Sequence, residues 1–338
     1  MRAVVIEKYG VLPEVREVPE PEVAAGAVVL KVEATGLCRS DWHGWMGHDS
    51  DIVLPHVPGH ELAGTIAAVG AGVSGWEVGD RVTTPFICAC GECEQCRAGD
   101  QQVCPNQLQP GFNYWGSFAE YVAVPYAEVN LVRLPDGMDF GTAAGLGCRF
   151  ATSFRAVHQV GRVAPGERVA VFGCGGVGLS AVMIAAALGA EVIAIDTNPA
   201  ALKLAREYGA THTIEASAGT ITQLRDLGSA HVTIDALGSS DIVQQALQSL
   251  RPRGRHVQVG LLPSGVNLDV GRLIGQELTW LGSHGMPAHA YPEMLNLVAT
   301  GNLTPDRLVT RTITLEETPA ALADLSNGTP PGVTVITP

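Results

Sequence analysis

The sequence lacks an excess of positive charge: 21 Lys and Arg stand against 34 Asp and Glu, for a net charge of −13. Nucleic acid and anionic membrane are recognised through a basic face, so neither is an expected partner. A long apolar run is also missing. The most hydrophobic segment, GLSAVMIAAALGA, is too short to span a bilayer and is followed at once by Glu191. The amino-terminal MRAVVIEKYG has no cleavable signal, since its apolar run ends at Ile6 before the charged Glu7 and Lys8. No internal repeat or low-complexity tract is present. These absences lead to the expectation of a soluble, cytoplasmic protein, in which disulfides are rare. With 46% hydrophobic and 16% charged residues over 338 positions, the chain has a globular balance and length enough for two domains.

What is present is cysteine, and it is concentrated. Five of the eight cysteines lie in CACGECEQCRAGDQQVC, from Cys88 to Cys104. Cys90, Cys93, Cys96 and Cys104 form C-x2-C-x2-C-x7-C. Tetrahedral zinc favours thiolates arriving from a tight turn, and two-residue gaps let neighbouring sulfurs converge on one ion. Gly91, Gly99 and Pro105 supply the turn chemistry. Four thiolates fill the coordination shell, so such a site is structural; an iron–sulfur cluster is the alternative for the same ligands. Cys88 falls outside the spacing and reads as a buried apolar thiol.

Three more residues of metal-ligand type are scattered: Cys38 in GLCRSDWHGW, His60 in VPGHELAGTIAAVG and Cys148 in GLGCRFATSF. A catalytic zinc takes three protein ligands and keeps one position open, and these residues could supply the three. Spacing alone does not connect them.

From Gly166 onward the pattern changes. ERVAVFG reads as a buried strand, CGGVGLSAVMIAAALGA as a turn and helix, and EVIAID as a second strand. NPAALKLAREYG reads as a helix with Asn198 as cap and Pro199 at its first position. HVTIDAL, RHVQVGLL and LTWLGSHG read as further strands. This alternation predicts an α/β domain with a doubly wound parallel sheet. Gly173, Gly175 and Gly178 form G-x-G-x-x-G between the first strand and its helix, with Gly176 and Val177 inside the turn. Such a turn lets a dinucleotide pyrophosphate approach the backbone at a helix N-terminus. Asp196, ending the next strand, would accept hydrogen bonds from the adenosine ribose and repel a 2′-phosphate, so NAD is expected over NADP. The three arginines of LRPRGRHVQVG read as a solvated turn rather than a phosphate site.

The string GHELAGTIAAVGAGVSGWEVGDRV follows a C-R-S-D segment and precedes the four-cysteine lobe and the Gly-rich turn. In that order these motifs resemble the zinc-dependent alcohol dehydrogenase family of the medium-chain dehydrogenase/reductase superfamily, over essentially the whole chain. The resemblance implies a Rossmann dinucleotide-binding domain at 150–286 and a β-rich GroES-like catalytic domain formed by 1–149 and 287–338. It implies one catalytic zinc on Cys38, His60 and Cys148, with Glu61 as an alternate or transient ligand. It further implies one structural zinc on Cys90, Cys93, Cys96 and Cys104. Ser40 and His43 match a proton relay, and Arg39 matches a contact to the cofactor pyrophosphate. Asp41 is expected to orient His60, as carboxylates commonly do for zinc-bound imidazoles.

The activity this implies is reversible hydride transfer between an alcohol and its aldehyde or ketone, with NAD as cofactor and a small molecule as substrate. Assembly as a homotetramer or homodimer is implied likewise. By position, Trp45, Phe86, Trp115, Leu261 and His284 could line an apolar substrate pocket. An NADP-preferring carbonyl reductase and a polyol-type dehydrogenase are the competing enzymes. Cys148, where polyol relatives carry a carboxylate, points away from the second. A non-catalytic nucleotide- or metal-binding protein on this scaffold is the remaining alternative, and Ser40 beside a complete ligand set weighs against it.

Overall fold

The computed structural model describes residues 1–262, 265–328 and 330–338. The chain forms two compact units. One comprises Met1–Ala151, Gly285–Ala299 and Pro305–Pro338; the other comprises Thr152–His284 and Thr300–Thr304. Among the described residues no helix is long and apolar enough to cross a membrane.

The first unit is built on a seven-stranded, mainly antiparallel sheet. Its central strand, Val28–Leu37, is buried along most of its length and pairs with Glu61–Val69 on one side. Leu30, Val32, Leu62, Ile66, Val82, Val122 and Val124 fill the core beneath them. Two register shifts in this pairing mark bulges, which bend and twist the strands. The register matters most at the strand ends, where Gly36 faces Glu61. In an antiparallel pair the exit of one strand adjoins the entry of the next. Cys38, just past Leu37, is therefore set beside His60, just before Glu61.

The second unit holds a six-stranded sheet whose pairings are all parallel. In spatial order the strands are His212–Glu215, Glu191–Asp196, Arg168–Phe172, Ala230–Asp235, Leu250–Gln258 and Thr279–Gly282. Numbered by sequence this is 3-2-1-4-5-6, the doubly wound Rossmann arrangement expected from the alternating pattern. The helix Gly176–Ala187 is apolar on nearly all sides and mostly buried, as a helix pressed on a sheet requires. Asn198 caps the helix Pro199–Glu207 by accepting the Ala200 N–H at 2.9 Å.

One expected boundary differs. LRPRGR opens the strand Leu250–Gln258, with Arg251, Pro252 and Arg253 exposed, as a solvated turn would be, in a bulge where the register with Ala230–Asp235 shifts. Arg253 adopts a positive φ of 61°, an irregularity that breaks the alternating pattern a strand would show in the sequence. Arg255 is half-buried against Glu167 at 2.6 Å, so this cation serves the fold.

Candidate active site and structural metal centre

The helix Arg39–Trp45 begins at Cys38, its N-cap. Asp41, in the first turn, accepts the Cys38 N–H at 2.8 Å and the Gly59 N–H at 3.1 Å. Its Oδ1 also lies 3.0 Å from His60 Nδ1, with both side chains buried. One carboxylate thus ties together the segments carrying two candidate ligands. An ionised carboxylate only accepts, so His60 donates from Nδ1 and leaves Nε2 as the nitrogen that could face a metal ion. That Nε2 is buried and has no hydrogen-bond partner among the described residues.

Cys148 lies in a π-helical turn, Leu146–Phe150. This turn is pinned by Phe86 N–H donating to Gly147 O at 3.0 Å and by the Tyr291 hydroxyl donating to Leu146 O at 3.2 Å. A Cβ at Gly147 would be tight, 3.2 Å from Thr84 O and 3.3 Å from Glu61 Cα. The result is a tight group: one ligand atom each from Cys38, His60, Glu61 and Cys148, all within 4.8 Å of one another. Hydrogen bonding from Cys148, opposed by burial and helped by His60 and Arg149, holds the Cys38 thiol well below its ordinary value. Burial lowers the His60 imidazolium, but Asp41 outweighs it and raises the group well above the usual histidine range.

Glu61 is not loose in this group. Arg149 donates to it from its backbone N–H at 3.0 Å, from Nε at 2.8 and 3.0 Å, and from Nη2. Burial pushes the Glu61 carboxyl up and the Arg149 guanidinium opposes that rise. Arg149 is absent from the sequence expectations, although it adjoins Cys148; its partner lies 88 residues away in the chain, out of reach of any spacing argument.

The four in-register cysteines also converge, with all their sulfurs within 4.8 Å. Cys93 caps the short helix Glu94–Arg97 and accepts the Cys96 N–H at 3.4 Å. The Cys90–Cys104, Cys93–Cys104 and Cys90–Cys96 sulfur separations are 3.5, 3.7 and 4.0 Å. A disulfide would need about 2.05 Å. Zinc–sulfur bonds of about 2.3 Å in a tetrahedron give edges of roughly 3.8 Å, which these separations match. Backbone N–H groups of Glu92 and Cys93 bring the Cys90 thiol down to about 6, so a thiolate is available near neutrality. Cys88 stands apart in the core of the antiparallel sheet, its thiol pushed by burial to about 11.

In the second unit Gly175 precedes the helix Gly176–Ala187, and Gly173 has a positive φ of 91°. A Cβ on Gly178 would lie 1.7 Å from Gly173 O, so the turn closes only with glycine there. Val177 and Gly176 form the first turn of the helix. Asp196 accepts the Cys174 N–H at 2.6 Å and the Asn198 N–H at 2.8 Å. The acid thereby sits against the glycine-rich turn.

Residues 24–136 match the alcohol dehydrogenase GroES-like domain family, and residues 176–300 match the zinc-binding dehydrogenase family. An alcohol dehydrogenase of Geobacillus stearothermophilus is 34% identical over 322 residues, covering 94% of this chain and 93% of the relative. The chain belongs to the zinc-dependent alcohol dehydrogenase family of medium-chain dehydrogenases. Among solved structures, the alcohol dehydrogenase of Thermus sp. ATN1 superposes with a TM-score of 0.90 at 32% identity, covering 100% of this chain and 99% of that one. A zinc-binding dehydrogenase from Sinorhizobium meliloti 1021, bound to NADP, superposes at 0.89 with 30% identity, covering 100% and 99%.

The chain is thus a medium-chain oxidoreductase with a GroES-like domain and a Rossmann domain. Its donor sets suit zinc: four cysteine sulfurs at tetrahedral separations, and a Cys2His set of the kind known from alcohol dehydrogenases, with His60 Nε2 buried and not hydrogen-bonded. The other anticipated residues are more dispersed. Ser40 Oγ lies 3.8 Å from Cys38 Sγ, inside the helix rather than at its cap. His43, three positions on and so on the same helix face, is exposed and pairs its Nδ1 with His48 Nδ1 at 2.9 Å. Arg39 donates to Leu325 O and stacks 3.8 Å above the Trp42 ring.

Of the anticipated pocket residues, Phe86 stands edge-on to His60, 6.1 Å between ring centroids, while Phe112, not anticipated, is nearer at 5.2 Å. Trp45 is not a pocket wall. It is buried in the core with Leu37, Val57 and Phe118, and its indole donates to Val11 O at 2.6 Å. An amphipathic aromatic with a backbone acceptor in reach gains more from the core than from solvent.

Proposed function

We propose that the protein is an NAD(H)-dependent alcohol dehydrogenase that interconverts an alcohol and its aldehyde or ketone. The reading rests on the group formed by Cys38, His60, Glu61 and Cys148, in which His60 Nε2 is buried without a hydrogen-bond partner. Cys38, His60 and Cys148 would hold the catalytic zinc, Glu61 would stand by as its alternate ligand, and Cys90, Cys93, Cys96 and Cys104 would hold the structural one. Lewis acidity toward the substrate oxygen would come from the zinc, and hydride acceptance from the nicotinamide.

The chain's own residues do the rest. Asp41 fixes the tautomer and orientation of His60. Ser40, beside Cys38, would take the proton leaving the substrate hydroxyl while giving up its own to a relay that ends at His43, whose imidazolium pKa is lowered by burial, Arg39 and His48. Phe86 and Phe112, packed on His60, keep water from the metal side and favour apolar substrates. The turn Gly173–Gly178 receives the cofactor pyrophosphate, and Asp196 receives the adenosine ribose. The negative charge of Asp196 supports NAD over NADP; the Sinorhizobium relative bound to NADP makes NADP the alternative to test. Assembly as a homotetramer or homodimer belongs to the same proposal and is checked by sedimentation equilibrium.

The experiment is a panel of primary, secondary, aromatic and polyol alcohols with NAD and with NADP, compared by kcat/KM. The proposal expects NAD reduction with apolar alcohols. Preference for polyols, or a strong preference for NADP, would contradict it.

A further inference from the structure

The parallel sheet of the second unit buries a polar chain that no ligand role described above uses. Thr233 is in register with His256, and Asp235 with Gln258, on adjacent strands. Side chains two apart on a strand share a face, so all four project to the same side of the sheet. Thr233, Asp235 and His256 are each 0% exposed. Thr233 Oγ1 lies 2.8 Å from His256 Nδ1, His256 Nε2 lies 3.2 Å from Gln258 Oε1, and Gln258 Nε2 lies 2.9 Å from Asp235 Oδ2.

The chemistry gives this chain a direction. The Asp235 carboxylate only accepts, so the Gln258 amide nitrogen faces it. Gln258 Oε1 then faces His256 Nε2, which must be the N–H donor. Burial lowers the His256 imidazolium, leaving a neutral ring whose Nδ1 accepts the Thr233 hydroxyl. Each donor thus points toward Asp235.

Asp235 also carries two loops. Its Oδ1 accepts the N–H groups of Leu237 and Gly238 at 2.8 and 2.9 Å. Its backbone oxygen accepts those of Val259 and Gly260 at 3.1 and 2.8 Å. Gln258 Nε2 donates as well to Gly260 O at 2.7 Å. Both loops leave the C-terminal ends of adjacent strands, the edge where open α/β sheets bind ligands. They present Leu237 and Leu261, 54% and 81% exposed, and Leu237 lies over Gly173 of the glycine-rich turn.

We propose that Asp235, with Gln258, is a positioning residue for dinucleotide binding: the buried chain sets both loops beside the glycine-rich turn before the cofactor arrives. A ligand meeting a formed surface is spared the cost of ordering it. The inference rests on reading this unit as the dinucleotide-binding one.

The test is NADH binding to the full-length protein, followed by nicotinamide fluorescence, with thermal unfolding measured alongside. In Asp235→Asn the new amide faces the Gln258 amide, donor against donor. NADH affinity should fall about tenfold or more, the scale expected when a buried polar group loses its partner. In Gln258→Leu both amide donations, to Asp235 and to Gly260 O, are lost, and NADH affinity should fall in the same direction. Wild-type affinity in Asp235→Asn or in Gln258→Leu overturns the proposal. Should Asp235→Asn fail to fold, amide exchange in the wild type decides: the amides of Leu237, Gly238 and Gly260 should be protected without NADH, and free exchange until NADH binds overturns pre-positioning. A wild type that binds neither NADH nor NADPH would instead sink the cofactor reading on which the proposal stands.

Discussion

Asp41 shows how much rests on one side chain near the metal ligands. It fastens the N-cap residue Cys38, the loop at Gly59 and the His60 ring. Asp41→Asn keeps the size but loses the charge that fixes the imidazole, and zinc affinity should fall roughly 10–100-fold, measured by the rate of zinc loss to a chelator. Arg149 acts on a different term. With Glu61 buried, Arg149→Met leaves a carboxylate without its guanidinium and should destabilise the fold by about 3–5 kcal/mol in denaturant unfolding. Glu61→Gln combined with Arg149→Met should recover much of that loss, because no unpaired charge remains; a double variant as unstable as the single one would refute the assignment. Legibility at this scale follows sequence distance. Cys38, Ser40 and His43 share one short motif and can be read from it, and Cys38 and His60 are joined by an antiparallel register no spacing reveals. Arg149 is read only through Glu61, to which folding brings it. Trp45 deceives for the opposite reason: its neighbours in sequence are site residues, but its ring turns into the core.

Among the elements, the cysteine lobe carries its own evidence. The two-residue gaps already favour one ion, and the short helix capped by Cys93 supplies the turn that brings the sulfurs together. Cys96→Ser should remove about one zinc per chain and lower Tm, with increased amide exchange confined to the lobe. The glycine-rich turn makes a separate prediction. Asp196 holds the Cys174 N–H as well as standing where a ribose would bind, so Asp196→Ser should weaken NAD binding and reduce the ratio of NAD to NADP kcat/KM about tenfold or more. An unchanged ratio would mean that this acid serves only the turn. The doubly wound sheet is legible because its buried strands are short apolar runs alternating with helices. The strand Leu250–Gln258 is legible only in its second half, since Arg251, Pro252, Arg253 and Gly254 resemble a turn and the strand tolerates them through an irregular residue at 253.

At the scale of the whole molecule, two groups of metal-ligating side chains lie in the first unit, and a parallel sheet with a glycine-rich turn forms the second. The order of motifs along the chain identifies the family. What the order does not convey is which of the eight cysteines react. The lobe holds most of the cysteine sulfur, yet four thiolates on one ion would leave no open position, and the proposed chemistry falls to Cys38, His60 and Cys148. The most direct test is alcohol-dependent NAD reduction by Cys38→Ser, prepared as a folded protein that keeps its structural zinc. The account predicts that turnover is lost by about a thousandfold or more, because a serine hydroxyl in place of the thiolate leaves the catalytic group short of a ligand. Turnover near the wild-type level would contradict it.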